Sequence, residues 1–125
     1  MGREERRKRV RLLIADDHDL VRDAISALLV KDDPSMQVDT AEDLMAALAS
    51  VRRGVRYDLI MLDLRMPGMN GLMGAQKMIE LCPETPVMIL SGQTSASDVQ
   101  AALKVGARGF VPKTLAGRSL INAIR

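Results

Sequence analysis

Four short apolar runs in the chain each end on a residue able to handle phosphate or a divalent cation. RLLIAD runs into Asp16-Asp17, YDLIMLD ends on Asp63, PVMILS on Ser91 and GFVPK on Lys113. Three carboxylates, a hydroxyl and an ammonium gathered in one pocket suit two tasks. They could hold Mg²⁺, which takes hard oxygen ligands. They could also help transfer a phosphoryl group to a carboxylate, a modest nucleophile that needs charge neutralisation and alignment. Either task requires the four run ends to lie side by side. Parallel strands of one sheet do this, and open α/β sheets bind ligands outside the carboxyl ends of their strands.

The pattern between the runs supplies the connecting helices. Strands are expected at 10–16, 36–40, 59–62 (closed by Asp63), 87–90 and 109–111. A helix from Asp19 carries Leu20, Val21, Ala24, Ile25, Leu28 and Leu29 at helical spacing. Asp32-Asp33-Pro34 stops it, because proline cannot continue a helix. Thr40 reads as an N-cap, with Asp43 in the first turn, for a helix reaching Arg53 before Gly54. The segment from Arg65 to Gly71 is rich in turn formers and precedes a helix over 72–81. Ser95 caps a further helix, with Asp98 three residues on and Val99, Ala102, Leu103 and Val105 as its buried side. A last helix after Lys113 presents Leu115, Leu120, Ile121 and Ile124. Alternating strands and helices predict a parallel sheet covered on both faces.

Composition sets the bounds. The chain has 125 residues, 47% apolar and 27% charged, which suits one domain with one core. No apolar run approaches the roughly 20 residues of a membrane span. The net charge of +2 hides an asymmetry. Residues 3–11 hold Arg3, Arg6, Arg7, Lys8, Arg9 and Arg11 against Glu4 and Glu5, leaving 12 basic and 14 acidic side chains elsewhere. The basic character therefore belongs to a leader, read as a solvated tail. Cys82 is alone, so no internal disulfide forms, which fits a reducing cytoplasm. Tyr57 and Phe110 are the only aromatics, which argues against recognition of single-stranded RNA by stacking. The core must be aliphatic, with Met61, Met78 and Met88 as filler.

In this order, the paired acids of IADDH, the acid of MLDLRMPGMNG, the hydroxyl of ILSG and the lysine of GFVPK resemble the receiver domain of bacterial two-component response regulators. The resemblance covers residues 10–125 and leaves 1–9 as the basic tail. It implies the CheY-like fold: a five-stranded parallel sheet, order 2-1-3-4-5, with five helices on its two faces. By the same resemblance Asp63 is the phosphoacceptor, and the donor is a phosphohistidine on a sensor histidine kinase or phosphotransfer protein. Mg²⁺ would be held by Asp17 directly, by Asp16 mainly through water, by Asp63 and by the backbone carbonyl of Arg65. Ser91 would hydrogen-bond a phosphoryl oxygen, with Gly92 leaving room for it. Lys113 would pair with Asp63 before phosphorylation and with the phosphoryl group afterwards. Phe110 matches the family's switch aromatic, filling space that Ser91 vacates and reshaping the face of helix four, strand five and helix five.

Some residues depart from the usual pattern. Pro112 precedes Lys113 and Thr114 follows it, where many receivers have Lys-Pro. Arg65 and Gln93 stand where the family tunes phosphoryl lifetime. Asp-Asp-His is frequent in the subgroup that carries a LuxR-type helix-turn-helix, so His18 reads as lineage more than chemistry. The expected function is a phosphorylation-operated switch, not an enzyme beyond its own phosphorylation and dephosphorylation, with homodimerisation or release of an effector surface as its output. DNA would be bound only through a C-terminal domain absent from this chain. The last helix is still amphipathic at Arg125, so a fragment of a longer transcription regulator is expected. A stand-alone receiver acting by docking is the alternative. A Mg²⁺-dependent phosphatase of the haloacid dehalogenase type would place a second Asp two residues after the nucleophile, where this chain has Arg65. No G-x-G-x-x-G follows the first strand, and Asp16-Asp17 would repel a pyrophosphate, which sets aside a dinucleotide protein.

Overall fold

A computed structural model describes residues 10–92 and 95–113. The basic tail, Gln93 and the helix expected after Lys113 lie outside the described residues. Five strands alternate with four helices among those described: β1 (Arg11–Ala15), α1 (Asp19–Asp32), β2 (Gln37–Ala41), α2 (Leu44–Arg52), β3 (Leu59–Asp63), α3 (Leu72–Leu81), β4 (Val87–Ser91), α4 (Ala96–Lys104) and β5 (Gly109–Pro112). Every strand pair is parallel and the order is β2-β1-β3-β4-β5. The expected order is therefore observed. No helix among the described residues is long and apolar enough to cross a membrane.

The strands read as continuous apolar runs because both sheet faces are covered. Alternate residues feed two cores. Leu12, Ile14, Leu59, Met61, Leu90 and Val111 pack with Ile25 and Leu29 of α1. Leu13, Ala15, Ile60, Leu62, Val87 and Ile89 pack with residues of α2, α3 and α4. Met61 and Met78 are buried, and Met66 and Met69 join them from the loop after β3. Unbranched thioether side chains fill such irregular space well.

Three local expectations need correction. Thr40 is not a cap: it lies in β2 opposite Ile14, and Asp43 caps α2, its carboxylate accepting from the Ala46 amide at 2.7 Å. Pairing with β1 continues one residue past Thr40, so the strand ends later and the helix starts later. Leu20 of α1 is 83% exposed, because the stripe facing the sheet runs through Val21, Ile25 and Leu29. Leu103 of α4 is also exposed, leaving Ala102 as that helix's buried residue. The Ser95 cap is as expected, accepting from the Asp98 amide at 3.1 Å.

The loop between β3 and α3 is pinned at both ends. Gly68 has φ +87°, and a Cβ there would press on Leu44 Cβ at 3.3 Å. The carbonyl of the preceding Pro67 accepts from the Leu44 amide at 3.1 Å, tying the loop to the start of α2. In α3 the Gly74 amide donates to the Met69 carbonyl at 2.7 Å, and a Cβ on Gly74 would lie 2.7 Å from Met69 backbone atoms. Only glycine permits that approach.

Candidate functional site

Asp16 immediately follows β1, Asp63 ends β3, Ser91 ends β4, and Lys113 immediately follows β5. The parallel registers bring these carboxyl ends together: Ala15 pairs with Leu62, Asp63 with Leu90, and Ser91 with Pro112. A cleft of about 220 Å³ opens over them, lined by His18, Asp63, Arg65, Gly92 and Lys113.

Lys113 is the hub. Its Nζ lies 3.1 Å from Asp63 Oδ2, 3.1 Å from Asp16 Oδ2 and 3.3 Å from Asp16 Oδ1. Both carboxylates are buried, Asp16 completely. Burial alone disfavours the ammonium, but hydrogen bonds and charge from Asp16 and Asp63 outweigh it and hold the Lys113 pKa above its ordinary value. The remaining contacts orient the acids. Asp63 Oδ1 accepts from the Arg65 amide at 3.1 Å, and Asp16 Oδ1 from the His18 amide at 2.9 Å. Arg22 of α1 donates to the Asp16 carbonyl and pairs with Asp19.

The donor set fits a divalent cation. Asp16, Asp17, His18 and Asp63 each present one ligand atom, all within 4.8 Å of one another. Among the described residues, Asp16 Oδ2 is buried without a hydrogen bond and lies 3.1 Å from the Lys113 ammonium. That ammonium acts as a stand-in cation among the donors. The carboxylates are the hard oxygen ligands Mg²⁺ takes.

Every residue named from the sequence as a strand-end site residue thus sits at one end of the sheet. Ser91 is buried, and its strand parity matches Ile89, which registers with Phe110. Phe110 is half-buried against the core under α2, α3 and α4, so Ser91 and Phe110 share one sheet face on adjacent strands. Asp63 and Asp16 follow the opposite parity.

Two features escaped the sequence reading. His18 enters the cleft: its Nδ1 is 3.0 Å from Asp16 Oδ1, 3.1 Å from Asp17 Oδ1 and 3.1 Å from Lys113 Nζ. Its adjacency to the acids was the available signal. A polar network near the amino ends of β1 and β3 had none. There the Tyr57 hydroxyl donates to Asp39 Oδ2 at 2.6 Å, and Arg11 donates to the same oxygen at 3.0 Å. Burial, then the bond and charge of Asp39, push the Tyr57 phenol up to about 12. Cys82 is half-buried, its thiol bonded to the Met78 carbonyl and its pKa raised by burial, which leaves it chemically quiet.

Residues 12–125 match the response regulator receiver domain family. A glycerol metabolism activator of Pseudomonas putida is 38% identical over 114 residues, 91% of this chain and 52% of that protein. The oxygen regulatory protein NreC of Staphylococcus carnosus is 34% identical over 117 residues, 93% of this chain and 54% of that protein. The chain spans about half the length of these relatives. Among solved structures, a LuxR family DNA-binding response regulator from Silicibacter pomeroyi superposes with a TM-score of 0.77 at 31% identity, covering 92% of this chain and 87% of that one.

Proposed function

The chain belongs to the response regulator receiver family, and from that premise we propose that it is a phosphorylation-operated switch with Asp63 as its phosphoacceptor. Receiver domains partner with histidine kinases and bind Mg²⁺ at an acidic pocket. The observation that carries the proposal is the Lys113 ammonium held 3.1 Å from both Asp63 and Asp16 across three strand ends.

In the proposed reaction an Asp63 carboxylate oxygen attacks phosphorus on a phosphohistidine of a sensor kinase or phosphotransfer protein. The O–P bond forms as the N–P bond breaks, and the nitrogen leaves with the electron pair. Asp16, Asp17, Asp63 and the Arg65 backbone carbonyl would hold Mg²⁺, which supplies charge neutralisation when bound. Lys113 meets the charge on the incoming phosphoryl oxygens, exchanging its pairing with Asp63 for one with the phosphoryl group. Ser91 donates to a phosphoryl oxygen beside Gly92. The added charge and acceptor oxygens bias Ser91 and Phe110 toward a second arrangement, the common currency of such switches.

The output follows from the company the chain keeps. Relatives twice its length and a LuxR family DNA-binding regulator among its structural neighbours support a role as the receiver of a transcription regulator. Phosphorylation would promote homodimerisation, with DNA contacted only by a separate C-terminal domain. The reading is tested by treating the protein with acetyl phosphate and Mg²⁺, then trapping the product with hydroxylamine and mapping peptides. An acyl phosphate at Asp63 yields a hydroxamate on the peptide containing Asp63. A phosphorylated Ser, Thr or His, or no modification, would refute it.

A further inference from the structure

Resting on the reading of this pocket as a divalent-cation site, we propose that His18 makes it a mixed nitrogen–oxygen site. The site would take borderline transition dications, such as Zn²⁺ or Co²⁺, in competition with Mg²⁺.

The geometry supplies the first argument. Metal–ligand bonds of about 2.1 Å set neighbouring ligand atoms about 3.0–3.4 Å apart around an octahedral or tetrahedral ion. His18 Nδ1 already stands 3.0 Å from Asp16 Oδ1 and 3.1 Å from Asp17 Oδ1. One donor atom from each of these three side chains, with one from Asp63, lies within 4.8 Å of the others. The second argument is the stand-in cation. Lys113 Nζ lies 3.1 Å from His18 Nδ1, as it does from Asp16 Oδ2 and Asp63 Oδ2. The ammonium thus sits among the same nitrogen and oxygen atoms that a dication would take as ligands. The third argument is the buried Asp16 Oδ2, which has no hydrogen bond among the described residues and so is open to an ion once the ammonium withdraws. Three carboxylates, one ammonium and one dication sum to formal neutrality.

Ligand chemistry then sets the preference. Imidazole nitrogen suits Zn²⁺, Co²⁺ and Ni²⁺, whereas Mg²⁺ prefers oxygen and gains little from it. An ion seated through His18 engages carboxylates that Mg²⁺ also needs, so the two exclude each other. The His18 side chain is 62% exposed, so its replacement leaves both cores intact.

The test uses Co²⁺ alone as the probe, titrated into metal-free protein and into His18→Ala, with Mg²⁺ titrated in parallel by calorimetry. His18 is the chain's one histidine, so paramagnetically shifted imidazole protons report on it without assignment. Since losing a residue that merely supports a ligand costs about 10–100-fold in affinity, loss of the ligand itself should weaken Co²⁺ at least about tenfold. Mg²⁺ affinity should change by less than about twofold, because its ligands are oxygens. Mg²⁺ should displace Co²⁺ and its shifted His18 signals. Equal Co²⁺ affinity in His18→Ala, unshifted ring protons, or Co²⁺ that Mg²⁺ cannot displace would overturn the proposal while Mg²⁺ binding kept the acidic pocket in place. Binding of neither ion would bring down the pocket reading as well.

Discussion

Replacing Lys113 with alanine removes the cation between two buried carboxylates. Asp16 is fully buried and Asp63 nearly so, and both lean on the Lys113 ammonium. Breaking a buried pair by deleting one partner costs about 3–5 kcal/mol, mostly the penalty of a stranded charge. Lys113 keeps 16% of its side chain exposed, which places the expected loss near the lower bound, about 3 kcal/mol. For a domain of this size that corresponds to a drop in Tm of about 12 °C. The chain has no Trp, so far-UV circular dichroism in urea and on heating is the suitable probe. The account adds a specific rescue. Mg²⁺ at a hundred times its Kd stabilises the folded state by about 2.7 kcal/mol. In Lys113→Ala it also relieves the stranded carboxylates, so most of the deficit seen in EDTA should disappear. A variant within about 0.5 kcal/mol of the parent in EDTA, or a deficit that Mg²⁺ leaves unchanged, would refute the reasoning. The pH dependence carries a sign as well. The folded pKa of Lys113 is raised, so its contribution is complete below the ordinary value of 10.5 and declines as pH climbs through the higher folded value.

Other predictions follow from single contacts. Tyr57 is the sole tyrosine, so absorbance near 295 nm should titrate with a midpoint near 12 in the folded protein; a midpoint near 10 would mean that neither the burial of the phenol nor its Asp39 bond is kept in solution. Because that pKa is raised, the stabilisation it reports is present below pH 10 and lost as pH rises toward 12. Tyr57→Phe should lower stability by about 1.5 kcal/mol, the low end for a hydrogen bond to a charged group, read from the urea midpoint. Gly74→Ala forces a methyl against the Met69 backbone and should cost about 2 kcal/mol, with slower phosphorylation because the loop carrying Arg65 shifts. Asp43→Ala removes the α2 cap and should cost about 1 kcal/mol without altering phosphorylation.

How much of this was legible in the chain depended on whether a signal was local. The β3 run ending on Asp63 and the β4 run ending on Ser91 were readable because strands buried on both faces must be apolar throughout, so a polar residue marks the end. The start of α2 was not readable. Thr40 with Asp43 three residues on satisfies a capping pattern, and only the pairing of Thr40 with Ile14 on another strand decides between cap and strand. Leu20 and Leu103 met the helical spacing yet face outward, because spacing gives a stripe and the packing partner chooses its centre. His18 was visible beside the acids, but its contact with Lys113, 95 residues away, is a property of the closed sheet. The Arg11–Asp39–Tyr57 network likewise joins three segments that nothing in the linear order connects.

The central claim is that Asp63 accepts a phosphoryl group in a Mg²⁺-dependent reaction. Intact-mass spectrometry after incubation with acetyl phosphate tests it most directly, with and without Mg²⁺, on the parent chain and on Asp63→Asn. The account predicts the mass gain of one phosphoryl group on the parent with Mg²⁺, and none without the ion or in the variant. A gain that persists in Asp63→Asn, or no gain in folded parent protein at saturating Mg²⁺, would contradict it.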